Sequence, residues 1–67
     1  MVIDAKKLDK AMAAKMFTLK ELSKESGVSN VTIIRLKNNT QKPKPITVGK
    51  IAKALGVDVT EIIETEK

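Results

Sequence analysis

Residues 18–38, TLKELSKESGVSNVTIIRLKN, read as two short helices joined by a tight turn. The first covers Leu19 to Ser26. Thr18 stands at its N-cap with Glu21 three residues on, the spacing at which each side chain satisfies the other residue's backbone N–H. Gly27 adopts positive φ without a Cβ clash and so ends the helix. Ser29 caps a second helix, Asn30 to about Asn38, by accepting a hydrogen bond from a first-turn N–H. Only Gly27, Val28 and Ser29 separate the two, so they must cross steeply rather than stack antiparallel, the geometry of a helix-turn-helix. Leu22, Val28, Ile33 and Leu36 fall where such a pair buries side chains, and Ser23 is small where the helices approach. Asn30, Val31, Ile34 and Arg35 are left on the outward stripe of the second helix, because i, i+1, i+4 and i+5 share a face. An amide, two β-branched apolar groups and an arginine suit base edges better than bulk water.

Charge is distributed as unevenly as it is signed. Of a net +5, residues 1–25 hold six lysines against four acids, and residues 58–67 hold four acids and one lysine. Between them, residues 26–57 carry Arg35, Lys37, Lys42, Lys44, Lys50 and Lys53 and no acid at all. A one-signed segment centred on a helix-turn-helix is the footprint of a polyanion binder, where the same charges scattered would be an ordinary solvated surface. At 67 residues the chain is expected to be one domain, 1–67, near the lower size limit for folding without staples. Absence of cysteine and histidine excludes a disulfide framework and the usual zinc-finger sites. There is no apolar run of the ~20 residues that cross a bilayer, and MVIDAKKLDK lacks a signal-peptide apolar region. The expectation is a cytoplasmic protein, complete or nearly so.

Around the central motif, a first helix is predicted from Ala5 to Lys15 with Asp4 as N-cap, its inward stripe being Leu8, Ala11, Met12 and, on the same spacing, Met16. Lys6, Lys7 and Lys10 face out. Asn38 to Pro45, NNTQKPKP, has loop chemistry, and Pro43 and Pro45 stiffen it, so that Lys42 and Lys44 project beside the second helix of the motif. A fourth helix begins near Ile46 or Thr47 and ends at Gly56, burying Val48, Ile51, Ala52 and Leu55. Within it Gly49 is either a weak spot, costing up to ~1 kcal/mol against alanine, or a point of close helix contact. A fifth helix is expected from an Asp58 N-cap, with Glu61 as its capping-box partner, to about Thr65, with Val59 and Ile62 closing the core.

Phe17-Thr18, Glu21-Leu22, Gly27-Val28-Ser29 and Ile33, followed by Ile51-Ala52-Lys53-Ala54-Leu55-Gly56-Val57, resemble the helix-turn-helix domains of the Xre family, the Cro and phage-repressor class of bacterial DNA-binding domains. The likeness covers about residues 5 to 63. It implies an all-α fold, a compact five-helix bundle of the lambda-repressor-like type with the helix-turn-helix as helices two and three. It also implies that the loop holding Lys42 and Lys44 grips phosphates. Four positions depart from the family. Leu19 stands where a glutamine often contacts DNA, so that anchor is missing or passes to Lys20, while Leu19 itself packs inward or against a partner. Met12 and Lys37 stand where members often pair an arginine with a glutamate; losing both together avoids a lone buried charge. Met16 occupies a position often filled by glycine.

The function expected from these residues is sequence-specific binding of double-stranded DNA by a transcriptional regulator, a repressor by preference. Asn30 suits adenine, Arg35 guanine or a phosphate, and Val31 and Ile34 thymine methyls. Lys20, Ser29, Asn38, Lys42 and Lys44 are the candidate phosphate contacts. A homodimer on paired operator half-sites is expected because one short helix buries little surface. No cofactor or metal is called for, and no residue set suggests an enzyme. The rivals are an antitoxin-like or adaptor module that uses Val31 and Ile34 to hold a protein, and a nucleoid-type binder with no preferred site.

Overall fold

A computed structural model describes residues 2–64 of the chain. Its elements are α1 (Ala5–Lys15), α2 (Leu19–Ser26), α3 (Asn30–Lys37) and α4 (Pro45–Leu55), followed by a 3-10 turn at Val59–Glu61. Most helix ends are set by local chemistry. Asp4 Oδ1 accepts from the N–H groups of Lys6 and Lys7 at 3.0 and 3.2 Å and opens α1. Thr18 Oγ1 accepts from the Glu21 N–H at 3.1 Å while Glu21 Oε1 accepts from the Thr18 N–H at 2.8 Å, the reciprocal pair that opens α2. Gly27 ends α2 at φ 75° and Gly56 ends α4 at φ 69°, both left-handed. Pro45 occupies the first turn of α4, where a missing N–H removes no helical bond.

The core joins one stripe from each helix. Leu8 and Met12 of α1, Leu22 of α2, Ile33 and Leu36 of α3, and Val48, Ile51, Ala52 and Leu55 of α4 are buried together with Val28 of the turn. Each large aliphatic among them contributes about 1.5–3 kcal/mol by leaving water. Leu19 is half-buried against this core, so it packs inward, and Phe17 does the same. Among the described residues no helix is long and apolar enough to cross a membrane.

Several expectations are corrected, and the alternatives at Gly49 are decided. Among the described residues the bundle has four α-helices and not five, for the fifth is a 3-10 turn at Val59–Glu61. Asp58 Oδ1 accepts from the N–H and the hydroxyl of Thr60, at 3.0 and 3.1 Å, in place of the expected capping box with Glu61. The chain then turns extended, because its ends pair: Ile3 and Ile63 form an antiparallel bridge, the Asp4 N–H donates to the Ile62 carbonyl at 2.9 Å, and the Glu64 N–H donates to the Val2 carbonyl at 2.8 Å. Ile3 and Ile62 enter the core on this clasp, which helical geometry beyond Glu61 would break. The expected end of that helix at Thr65 lies outside the described residues. Met16, placed on the inward stripe by its spacing, is 85% exposed and is the left-handed cap of α1 at φ 56°. Finally, a Cβ built on Gly49 meets nothing within 4 Å, so the glycine does not mark a close helix contact.

Candidate nucleic-acid interface

The turn between α2 and α3 is braced by serines. Ser23 Oγ donates to the Val28 carbonyl at 2.6 Å, and the Val28 N–H donates to Ser26 Oγ at 3.2 Å. With Val28 and Ile33 buried beneath, α3 is presented at a fixed attitude. Its outward side brings together the residues expected to read bases. Asn30 and Arg35 are exposed beside Val31 and Ile34, which are 55% and 43% exposed. The two β-branched side chains form an apolar strip between an amide and a guanidinium.

The expected phosphate contacts frame this helix. Lys20 is exposed in the first turn of α2, Asn38 caps the C-terminus of α3, and Lys42 and Lys44 are exposed on the loop beyond. That loop begins by folding back: the Thr40 N–H and hydroxyl both donate to the Arg35 carbonyl, at 2.9 and 3.2 Å, and Asn39 takes φ 59°. Asparagine tolerates that conformation better than most side chains. Ser29 is already engaged. It accepts from the Thr32 N–H at 3.2 Å as N-cap and donates its hydroxyl proton to Thr32 Oγ1 at 2.9 Å. To donate to a phosphate, that hydroxyl must rotate away from Thr32.

Between α3 and the start of α4 lies a cleft of about 290 Å³ whose polar lining includes Ser29, Thr32, Gln41, Lys44, Thr47 and Lys50. No side chain caps α4, which leaves its first-turn N–H groups open to an anion. Gln41, Thr47 and Lys50 were not picked out from the sequence. The signal was there in Lys44, Thr47 and Lys50, which recur at i, i+3 and i+6 on one helix face behind a position with no capping side chain.

Lys37 belongs to a different role. Its Nζ lies 2.8 Å from Asp9 Oδ1 of α1, with side-chain exposures of 28% and 60%. An ion pair therefore does join α1 to this position of α3. It runs with reversed sign and one helical turn before Met12, where the resemblance led one to look for the basic partner.

A family model described as helix-turn-helix matches residues 8–62. Among solved structures, the chain is similar to Streptomyces albus HEPD with its substrate 2-hydroxyethylphosphonate and Fe(II) bound. The two share 28% identity at a TM-score of 0.75, over 98% of this chain and 16% of that one. The chain thus spans about one sixth of the length of that protein. No curated protein matches it significantly.

Proposed function

Because the chain belongs to the helix-turn-helix family of the Xre, Cro-like type, we propose that it is a sequence-specific regulator of transcription that binds double-stranded DNA and represses by occupying its operator. The observation that carries this is the exposed stripe of Asn30, Val31, Ile34 and Arg35 on α3, bordered by a loop and helix that hold lysines and no acid. Affinity comes from Lys20, Lys42, Lys44 and the uncapped start of α4, which neutralise phosphates and release counterions. Preference comes from α3 in the major groove, with Asn30 on adenine N6 and N7, Arg35 on guanine or a phosphate, and Val31 and Ile34 against thymine methyls. Asn38 and Ser29 fix the register from the two ends of that helix. The chain acts as a single cytoplasmic binding domain without enzymatic activity, and as a homodimer on paired half-sites.

A second reading has one observation in its favour, the exposure of Val31 and Ile34 on the outward side of α3. An adaptor or antitoxin-like module would use Val31 and Ile34 as a protein-docking strip.

Selection of a random duplex library by the purified chain, at low and at physiological salt, separates the readings. A recovered palindrome with half-sites about ten base pairs apart supports the dimeric regulator. Binding with no consensus points to a nonspecific binder, and no binding at low salt points to the protein-docking module.

A further inference from the structure

Acids are missing from residues 26–57 and return in the C-terminal segment, as Asp58, Glu61, Glu64 and Glu66. The fold carries one of them back to the basic loop. Glu64 is anchored through its backbone N–H to the Val2 carbonyl at 2.8 Å, next to the Ile3–Ile63 bridge. Val2 and Glu64 form one side of a cleft of about 570 Å³ whose other side is the loop from Asn39 to Pro43. Lys42 stands on that facing side, exposed and with no ion pair to any described residue. An ammonium on four methylenes and a carboxylate on two are both long enough to sweep such a space. A phosphate that Lys42 meets on the cleft side lies within reach of Glu64.

We infer that Glu64 is an internal competitor for Lys42: its carboxylate and a nucleic-acid phosphate are alternative anions for one ammonium, so the C-terminal segment restrains the loop's grip on polyanions. This rests on the assignment of Lys42 as a phosphate contact. The clasp uses the backbone of Glu64 and leaves its side chain free, so Glu64→Gln removes the charge and keeps the fold. Charges facing each other across a solvent-filled cleft are screened within about 10 Å at 0.1 M salt, which makes the effect strongest in dilute buffer.

The test compares the wild type, Glu64→Gln, Lys42→Ala and the double variant, each confirmed as folded by circular dichroism. Binding to a mixed-sequence duplex is measured at roughly 50 and 200 mM salt, and elution from heparin supplies a polyanion that is not DNA. Glu64→Gln should bind the duplex about three-fold tighter at the lower salt and elute later from heparin, and both gains should disappear in the Lys42→Ala background. A gain of equal size with and without Lys42 would overturn the competition, and so would no gain on either ligand. If no duplex binding is seen while the heparin order holds, the competition stands and the DNA assignment falls instead.

Discussion

Lys37 Nζ and Asp9 Oδ1, 28 residues apart in the chain, meet at 2.8 Å and tie the last turn of α3 to the middle of α1. Both groups keep contact with water, so the pair contributes about 0.2–1 kcal/mol and less as salt rises. Asp9→Asn should lower the unfolding free energy by that small amount at low salt and by almost nothing at high salt. A denaturant-melt double-mutant cycle with Lys37→Met measures it. A coupling well above 1 kcal/mol that ignores salt would show that the pair is more sheltered than its exposure implies.

Met16 holds a left-handed conformation, φ 56°, with a side chain almost wholly in water. It contributes little burial to offset the steric cost of that conformation. Met16→Gly should therefore stabilise the fold by roughly 1 kcal/mol, raising the melting temperature about 4–8 °C in a domain of this size. Gly27→Ala should act in the opposite direction by a similar amount, because a Cβ there meets no neighbour and only the φ of 75° opposes it.

Gly49 gives a cleaner case, since its φ lies outside the left-handed region and its missing Cβ faces open space. Gly49→Ala should stabilise by up to ~1 kcal/mol through helix propensity alone. A loss of stability in a thermal melt would mean that the space is needed.

These three cases also show where the sequence was readable. The start of α1 and both ends of α2 could be placed because Asp4, Thr18, Glu21 and Gly27 act on backbone groups within a few residues. The buried set of α4 followed from its period. The fifth helix was misread because Asp58 and Glu61 have capping-box spacing, while the decisive interaction, pairing of Ile63 with Ile3, joins opposite ends of the chain. The Asp9–Lys37 pair was hidden for the same reason. On the interface, the α3 stripe was legible from periodicity, but the cleft that adds Gln41, Thr47 and Lys50 needs α4 set beside α3 by the packing of both on α2.

Acid should loosen the chain at the 3-10 turn. The Thr60 backbone N–H, with its hydroxyl second, holds the Asp58 carboxyl below its ordinary value of 3.8. The folded state thus binds this proton less tightly than the unfolded state. The contribution is fully present above the ordinary value and is lost as pH falls through the lowered one. Stability followed by denaturant melts below pH ~4 should decline less steeply in Asp58→Asn than in the wild type. Parallel curves would remove Asp58 from the acid response.

The two halves of the DNA mechanism make opposite demands on two variants. Asn30 sits exposed in the first turn of α3, away from the core, so Asn30→Ala should leave folding intact. On the operator it should lower affinity by about 1–3 kcal/mol and relax preference at one base pair, while affinity for unrelated duplexes stays unchanged. Lys42 offers charge alone. Lys42→Ala should weaken operator and unrelated duplexes by the same factor and reduce the slope of log K against log salt by about 0.9. Fluorescence titrations of both variants against the selected site and a scrambled one, at several salt concentrations, provide the comparison. If Asn30→Ala weakened both duplexes equally, its amide would be a backbone contact, and readout would have to rest on Arg35, Val31 and Ile34.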